Sequence, residues 1–319
     1  MEIVNVTNLI KEYANLRAVN GISFSIKQGE ILGLLGPNGA GKTSTINMMI
    51  GLSRPSGGHI RIDGIDAVKD IKKVQRIIGV IPDENNLYDE MSGFDNLCFA
   101  AALYGIGKKE AVRRARRLLE EFNLSKAGER PFRTYSKGMK RKLTIAAGII
   151  HDPRILFLDE PTTGIDVEST RQIRELILNL KKQGKTILMT THYIEEAERI
   201  CDRIAFIVNG EIVKLGRVTE LMENIEGEYR LRLQLDSHIG EVKEELENNL
   251  PNSRMEILGE NSCMIISKEP MALSPILKLL DLKGISVYEA RKIKPSLEDV
   301  FVRVTGIGAS KLKEEGVGK

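Results

Sequence analysis

Hydrophobic positions along the chain form short continuous runs that alternate with stretches of helical spacing. Five of these runs have the length and composition of strands buried on both faces. They are Ile31–Leu35, Ile77–Ile81, Ile155–Leu158, Thr186–Met189 and Arg203–Val208. Between the third and fourth runs, Thr170–Gln183 has its apolar residues on one stripe, which is typical of an amphipathic helix. This alternation predicts an α/β fold with a covered parallel sheet.

Two segments depart from the alternation. Ile22–Ile26 and Gly58–Asp63 are flanked by turn residues and predict a small antiparallel β layer near the N-terminus. Residues 89–151 carry helical patterns, among them Gly93–Tyr104 and Lys108–Phe122, and no strand pattern. We therefore expect a helical subdomain inserted between two strands of the main sheet.

A second fold pattern begins near Gly216. Strand and helix segments follow in the order strand, helix, strand, strand, helix, strand, which is typical of a ferredoxin-like α+β unit. The segments are Tyr229–Leu235, Ile239–Leu250, Met255–Leu258, Cys263–Ile266, Leu273–Leu282 and Ile285–Ala290. We expect a first domain over residues 1–216, an accessory domain over residues 217–306 and a flexible tail over residues 307–319.

Composition and charge narrow the possible functions. Lys and Arg together number 47 against 44 for Asp and Glu, so no strong basic field indicates a nucleic-acid partner. The three cysteines, Cys98, Cys201 and Cys263, are far apart, which argues against a disulfide framework and fits a reducing cytoplasm. No apolar run approaches the roughly 20 residues that span a bilayer. A transport function would therefore require a separate membrane chain.

The clearest chemical motif is a glycine-rich loop between a predicted strand and a predicted helix. It matches the phosphate-loop pattern GxxxxGK[ST], in which backbone N–H groups approach phosphates and the helix N-terminus adds positive charge. Lys42 is expected to neutralise the β- and γ-phosphates, and Thr43 to bind Mg²⁺. The predicted ATP-binding residues are Gly36, Pro37, Asn38, Gly39, Ala40, Gly41, Lys42, Thr43 and Ser44.

An acidic pair follows the third apolar run. Ile155–Leu158 would deliver Asp159 and Glu160 to the C-terminal edge of the sheet, where α/β proteins bind ligands. Asp159 is expected to hold Mg²⁺ and its waters, and Glu160 to polarise the attacking water. The sequence distance from Lys42 to Asp159 is far longer than one strand-helix-strand step requires, which agrees with the inserted subdomain.

A short segment inside the insertion precedes another helical pattern, which runs from Arg141 to Ile150. Alone, its Ser136 could simply cap that helix. Together with the phosphate loop and the acidic pair, however, Tyr135–Met139 resembles the signature of the ATP-binding-cassette (ABC) family, in a variant seen in many exporter ATPases. Residues 159–166 resemble the Walker B motif and D-loop of that family. His192 matches its switch histidine, and Tyr13 its adenine-stacking aromatic residue.

The resemblance covers about two-thirds of the chain and implies a P-loop NTPase cassette of the ABC type. It implies a head-to-tail homodimer in which Ser136 and Gly138 of one subunit contact ATP held by the other, with Asp166 linking the two sites. Glu160 would be the catalytic carboxylate, and His192 would contact the γ-phosphate. The implied partners are a second ABC ATPase subunit and a separate transmembrane permease, without nucleic acid. The implied location is cytoplasmic, peripheral on the inner face of the membrane.

Three positions depart from the family pattern. Asp83 stands where the family has a glutamine that approaches Mg²⁺, so we expect a charged and shorter metal ligand there. In the signature, Lys137 and Met139 replace a glycine and a glutamine.

Near the end of the chain, residues 295–306 resemble a tail motif of drug-exporter ATPases.

The function predicted from these features is an ATP-hydrolysing motor subunit for an ABC-2 type exporter, with ATP and Mg²⁺ bound. A non-transport ABC ATPase that acts on nucleic acid or ribosomes is the alternative. Members of that kind carry two cassettes or long coiled coils, and neither pattern is present in this sequence. A regulator that binds nucleotide without hydrolysis is a third possibility, which the presence of both Glu160 and His192 disfavours.

Overall fold

The computed structural model describes residues 1–84, 86–223, 229–250, 252–293 and 296–308. These residues form two compact units. The first is Met1–Val218 together with Phe301 and the described residues after it, and the second is Thr219–Val300. In the described ranges, none of the helices combines the length and the apolar character that crossing a membrane requires.

Fourteen strands and eleven helices are assigned in the described residues. The strands are β1 (Glu2–Tyr13), β2 (Leu16–Lys27), β3 (Ile31–Leu35), β4 (Gly57–Ile62), β5 (Ile65–Asp66), β6 (Ile78–Ile81), β7 (Ile155–Leu158), β8 (Thr186–Thr191), β9 (Arg203–Val208), β10 (Glu211–Arg217), β11 (Tyr229–Leu235), β12 (Ser253–Gly259), β13 (Ser262–Ser267) and β14 (Val287–Ile293). The helices are α1 (Lys42–Ile50), α2 (Ile71–Gln75), α3 (Gly93–Leu103), α4 (Lys108–Glu121), α5 (Lys137–Ile149), α6 (Val167–Lys182), α7 (Ile194–Ile200), α8 (Val218–Glu223), α9 (Lys243–Asn249), α10 (Leu273–Leu282) and α11 (Leu297–Thr305).

A six-stranded sheet in the order β10-β9-β3-β8-β7-β6 forms the centre of the first unit. Its strands are parallel except β10, which adds an antiparallel edge. Every residue of β3, β7 and β8 is buried, as expected for strands of a parallel sheet that is covered on both faces. The predicted α/β fold is confirmed. Of the five predicted strands, the fourth extends beyond Met189 to Thr191.

An antiparallel sheet in the order β2-β1-β4-β5 forms a second layer of the first unit. The predicted segments Ile22–Ile26 and Gly58–Asp63 lie in β2 and β4, except that Asp63 follows the strand with a φ of 51°. Apolar residues of this layer, of α1 and of the central sheet share one core, which includes Val4, Met49 and Leu34. This shared core holds α1, the helix that follows the glycine-rich loop, against the sheet.

Helices α3, α4 and α5 occupy the segment between β6 and β7. Helix α4 buries Ala111, Ala115, Leu118 and Leu119 on one stripe and keeps most of its charged residues at the surface. Helix α5 begins at Lys137, earlier than the predicted Arg141, because Ser136 caps it by accepting a hydrogen bond from the Met139 backbone N–H. A Cβ atom on Gly79 of β6 would lie 2.3 Å from the Gly148 carbonyl oxygen, so α5 packs closely on the sheet.

The second unit contains a four-stranded antiparallel sheet in the order β12-β13-β11-β14. The predicted helix Ile239–Leu250 is interrupted: a 3₁₀ turn covers Ile239–Glu241, and α9 begins only after Val242, whose φ of −120° is not helical. The predicted strand Ile285–Ala290 also starts later. The backbone N–H of Ile285 donates to the Leu280 carbonyl and closes the C-terminus of α10, so it is not available to a strand ladder.

The limits of the two units differ from the domain limits expected from sequence. The first unit ends after Val218, two residues beyond the expected limit. Residues 301–306, assigned above to the accessory domain, group with the first unit. There the Phe301 ring is fully buried and lies with its centroid 5.3 Å from that of Phe206. The predicted flexible tail lies outside the described residues from position 309 onward, as do Lys294 and Pro295 of the tail motif.

Candidate functional site

The glycine-rich loop connects β3 to α1 at the C-terminal edge of the central sheet. Gly41 stands at the N-cap position of α1 with a φ of 100°, and a Cβ atom there would lie 2.4 Å from the Ala18 carbonyl oxygen. Only glycine fits this combination of backbone conformation and close approach. No side chain caps the helix at Gly41, so the first backbone N–H groups of α1 remain available to an anionic ligand.

Lys42 links this loop to the acidic pair. Its ammonium group donates hydrogen bonds to the carbonyl oxygens of Gly36 at 2.7 Å and Pro37 at 3.0 Å. It also lies 3.3 Å from Glu160 Oε1, and both side chains are about nine-tenths buried or more. The structure therefore places one buried cation beside the loop that is expected to hold phosphates and beside the predicted catalytic carboxylate.

Thr43 and Asp159 lie together next to Lys42. Thr43 Oγ1 is 3.3 Å from Asp159 Oδ1, and the same carboxylate oxygen accepts a hydrogen bond from Thr190 Oγ1 at 2.5 Å. A hydroxyl and a carboxylate are the oxygen ligands that Mg²⁺ uses when substrate phosphates and water complete its shell. In the described parts of the chain, no group of three or more His, Cys, Asp or Glu side chains could hold a metal by itself. The donor set thus fits a magnesium ion that arrives with nucleotide.

Asp83, the third predicted metal ligand, is exposed just beyond β6. Loss of water around its carboxyl raises its pKa; Arg141 lowers it, whereas Asp159 and Glu160 raise it further. Its recorded hydrogen bond to the site involves its backbone carbonyl, which lies 3.1 Å from Arg141 Nη1. A metal contact through the Asp83 carboxylate stays a prediction.

Glu160 has an unusual backbone conformation that is held on both sides. Its φ is 45°, which a side chain with a Cβ adopts only under constraint. Its N–H donates to Thr190 Oγ1 at 3.0 Å, and its carbonyl accepts from Arg141 Nη2 at 2.8 Å. This conformation directs the carboxylate toward Lys42 on one oxygen and toward His192 on the other.

The Glu160 carboxylate is ionised at neutral pH. Burial acts to raise its pKa, but the hydrogen bond from His192, the charge of Lys42 and the hydrogen bond from Thr163 lower it below the ordinary value of 4.5. An ionised carboxylate only accepts hydrogen bonds, so His192 Nδ1, at 2.9 Å from Glu160 Oε2, carries a proton. The other ring nitrogen, Nε2, is then the atom that His192 can offer to a ligand.

The signature residues form a separate group. Ser136 is exposed at the start of α5, and a Cβ atom on Gly138 would lie 2.1 Å from Ser169 Oγ of α6. Asp166 caps α6 by accepting the Ser169 backbone N–H at 2.9 Å. In the described residues, no recorded hydrogen bond or ion pair joins Ser136, Gly138 or Asp166 to Lys42. The predicted site residues therefore lie in two groups within one chain.

Tyr13 lies near the first group. It ends β1, with about two-fifths of its surface exposed, and its hydroxyl is 3.4 Å from Ser53 Oγ. Hydrogen bonds with Ser53 and with Ser44 of α1 lower the pKa of the Tyr13 hydroxyl. The ring is thus adjacent to the phosphate-loop helix and accessible, which an adenine-stacking residue requires.

Comparison with known proteins fits this geometry. Residues 19–163 match the family described as ABC transporter. The chain is also 35% identical over 318 residues to the linearmycin resistance ATP-binding protein LnrL of Bacillus subtilis, an alignment that covers 95% of this chain and 98% of the relative. The chain belongs to the ABC transporter family.

Two other similarities extend the assignment. The Nod factor export ATP-binding protein I of Burkholderia orbicola is 36% identical over 304 residues, covering 95% of this chain and 97% of that protein. A dimeric ATP-binding cassette solved after hydrolysis, with ADP and phosphate bound, is 25% identical and aligns with a TM-score of 0.63 over 67% of this chain and 98% of that one. This ABC protein is accordingly an ATP-binding ATPase, and the alternative of an ABC protein acting on nucleic acid is not favoured.

Two functional features of this ABC site escaped sequence reasoning. Thr190 joins both acidic residues, since its hydroxyl donates to Asp159 and accepts from the Glu160 backbone. The sequence did contain one indication of this role: Thr190 is a polar residue near the end of the apolar strand β8, two positions before His192. Arg141 donates to the backbone of both acidic residues. These contacts could not be predicted from the sequence, because every residue type has a backbone carbonyl.

Proposed function

We propose that this ABC ATPase binds MgATP, closes around it as a head-to-tail homodimer, and drives a separate membrane permease of the ABC-2 exporter type. The observation that carries the proposal is the division of the site into two groups. One group, around Lys42 and Glu160, has buried charges and a free helix N-terminus. The other begins at the exposed Ser136 and continues to Gly138, which packs against α6; among the described residues no hydrogen bond or ion pair joins it to Lys42. Two copies arranged head to tail would supply each group with the other.

The roles within one site follow from the contacts. The loop N–H groups and Lys42 bind the phosphates, and Thr43 with Asp159 would hold Mg²⁺, which neutralises charge on the β- and γ-phosphates. Glu160 is ionised and buried, so it can orient and polarise the attacking water. His192 Nε2 would contact the γ-phosphate while its Nδ1–H remains on Glu160. Arrival of nucleotide would require Lys42 to exchange its carbonyl partners in the loop for phosphate oxygens.

The Glu160→Gln variant tests the ATPase and dimer parts of this proposal together. Gln keeps the size of the side chain but cannot act as a base, so we expect hydrolysis to fall by about 10²–10⁴-fold while MgATP still binds. Light scattering after gel filtration should then report a stable dimer with MgATP and a monomer without nucleotide. Glu175→Gln, the same substitution at an exposed residue of α6, is the matched control and should keep normal turnover. Near-normal turnover in Glu160→Gln would reject the role given to Glu160.

A cleft in the first unit is our candidate surface for the permease. It has a volume of about 960 Å³ and is lined by residues of α1, α2, β6 and the end of α3. Leu52 and Leu103, both at this cleft, are 75% and 71% exposed. Strand β6, which forms part of the lining, leads directly into Asp83. A bound permease segment would therefore be connected to the metal side of the site.

Substitution of the two exposed leucines tests the surface. In Leu52→Glu with Leu103→Glu, the ATPase rate of the isolated protein should stay within about twofold, since exposed positions seldom change stability. Co-purification with the proposed permease, expressed together with this chain, should fall at least about tenfold, because charges would enter an apolar contact. Leu282→Glu, at an 85% exposed position of the second unit, is the control. Equal recovery with all variants would remove this cleft from the proposal.

A further inference from the structure

Arg141 is a buried cation whose entire donor capacity is directed at backbone carbonyls. The residue lies on α5, five positions after Ser136, and is 5% exposed. An arginine side chain has five N–H donors in a fixed planar fork. Nε donates to the Pro161 carbonyl at 2.8 Å. Nη1 donates to the carbonyls of Pro82 and, at 3.1 Å, Asp83. Nη2 donates to the carbonyls of Asp159 at 2.6 Å and Glu160 at 2.8 Å.

Burial of the Arg141 charge costs free energy unless hydrogen bonds and nearby opposite charges offset it. Removal from water acts to lower the Arg141 pKa, while the nearby carboxylates of Asp83, Asp159 and Glu160 act to raise it. The carboxylates are occupied elsewhere: Asp159 binds Thr190 and Thr43, and Glu160 binds Lys42 and His192. Arg141 therefore binds main-chain carbonyl groups and does not compete for the carboxylates of Asp159 and Glu160.

The main chain that Arg141 holds includes the strained residue of the site. Glu160 has a φ of 45°, and its two flanking peptide groups are fixed by Arg141 Nη2 on the carbonyl and by Thr190 on the N–H. Without the guanidinium, the carbonyl would lose its buried charged donor and keep only the Thr163 backbone N–H at 3.3 Å, so relaxation toward an ordinary φ would be less strongly opposed. Relaxation would move the carboxylate away from Lys42 and His192.

The same side chain connects Glu160 to two other parts of the molecule. Nη1 lies on the carbonyls of Pro82 and Asp83, which follow β6. Ser136 lies on the same helix, about 7.5 Å along the axis at 1.5 Å per residue. A helix of this length moves as a rigid body, so a displacement at Ser136 reaches the Glu160 carbonyl through one side chain.

We propose that Arg141 is a positioning residue that holds Glu160 in its catalytic conformation and couples it to the start of α5. The proposal rests on the proposed role of Glu160 in polarising water. Contact of Ser136 with nucleotide held by a second copy would thereby set the position of the Glu160 carboxylate in its own chain.

Two substitutions and one matched control test the proposal on the full chain. In Arg141→Met, kcat should fall by about 10²-fold while the Kd for MgATP stays within about threefold, since a misplacement of about 1 Å costs this much. Arg141→Lys keeps the charge without the fork, so its kcat should fall at least about tenfold with the fold retained. Arg203→Met removes another largely buried arginine, which contacts the Ser25 carbonyl and Glu30 away from the site. This substitution leaves Glu30 without its ion-pair partner and is expected to cost stability, but kcat per folded molecule should stay within about twofold, because none of the described contacts of Arg203 involves Glu160.

The double variant with Glu160→Gln separates positioning from general damage. If Arg141 acts through Glu160, then Arg141→Met in the Glu160→Gln background should lower single-turnover hydrolysis by less than about threefold. Hydrolysis is followed with radiolabelled ATP over hours, so that the low rates are measurable. Independent damage would multiply the two losses instead, and that result would overturn the proposal. So would wild-type kcat in Arg141→Lys, or equal loss of kcat in the Arg203→Met control.

Failure of this inference and failure of the proposed function are distinguishable. Wild-type turnover in Glu160→Gln would remove the role of Glu160 and, with it, the basis for a positioning residue. A strong loss in Glu160→Gln with no loss in either Arg141 variant would leave the function in place and reject only the coupling through Arg141.

Discussion

The two helix N-termini that we expect to meet nucleotide are built in opposite ways. Helix α1 begins after Gly41 without a side-chain cap, and its first residue, Lys42, is buried. Helix α5 begins after Ser136, which is exposed and uses its own hydroxyl to cap the helix. The uncapped terminus keeps all of its first N–H groups for a ligand, whereas at the capped one the Ser136 hydroxyl already accepts the Met139 N–H.

This difference explains why one chain holds an incomplete site. Around α1, the groups that we propose bind and cleave phosphate contact one another: Glu160 lies against Lys42 on one oxygen and against His192 on the other. At the start of α5, Ser136 is exposed, Gly138 packs closely on Ser169 of α6, and Asp166 caps α6. The first region contributes buried charged side chains, and the second contributes a closely packed helix start. In the proposed dimer, a nucleotide held by the first region of one copy would be enclosed by the second region of the other.

Removal of Lys42 should break the first region and give the largest effect. Lys42→Met deletes the ammonium that pairs with Glu160 and is expected to contact phosphate. A hydrogen bond to a charged group is worth roughly 2–3 kcal/mol, so the Kd for MgATP should rise by about 30–150-fold. Hydrolysis should fall below detection. Isothermal titration with Lys185→Met as the control checks this; unchanged Kd would show that the loop does not bind through Lys42.

Crowding at Gly138 should break the second region while sparing the first. In Gly138→Val the new Cβ would lie 2.1 Å from Ser169 Oγ, so the surface must distort. We expect a loss of about 10²-fold in hydrolysis, as for other misplacements in an active site, with the Kd of the monomer for MgATP unchanged. Gly107→Val, at a helix start with open space around it, is the matched control. A weakened Kd in Gly138→Val would contradict the separation of the two regions.

The pH dependence of stability should give the smallest effect and sharpen the first region. The folded-state pKa of Glu160 is below 4.5, so its ionised form stabilises the fold above pH 4.5, and this contribution is lost as the pH falls through the lower folded value. Gln cannot titrate. The Tm of the wild type should therefore decline relative to Glu160→Gln only below a pH of about 4.5. A relative rise in the wild-type Tm as the pH falls from about 7 to 6 would instead show that the folded-state pKa of Glu160 is raised, so that its partners do not hold it ionised.

Much of this organisation could be predicted from the sequence, because apolar runs and the spacing of loop residues both depend only on neighbouring positions. Apolar runs such as Ile155–Leu158 predicted buried strands, and the spacing of Gly36 to Thr43 predicted the phosphate loop between a strand and a helix. The similarity to the ABC family then supplied roles for His192 and Ser136, which periodicity alone could not have assigned.

The features that escaped prediction depend on contacts between distant segments. Arg141 bonds to carbonyl groups that follow β6 and β7, and no residue type marks a carbonyl acceptor. Val242 interrupts a segment whose spacing is otherwise helical, and Ile285 serves as a helix cap at the point where a strand was expected. In the last two cases, the backbone of a single residue decides where the element begins.

A complementation experiment tests the central claim, two half-sites completed by a second copy, most directly. Lys42→Met and Gly138→Val are each expected to be inactive alone, and the two are mixed in equal amounts with MgATP. With random pairing, half of the dimers would contain one copy of each variant. Each mixed dimer would have one of its two sites intact, with an unchanged loop facing an unchanged signature. About a quarter of wild-type activity should therefore return. If the signature acts within its own chain, no mixed dimer contains an intact site, and the mixture would stay as inactive as either variant alone.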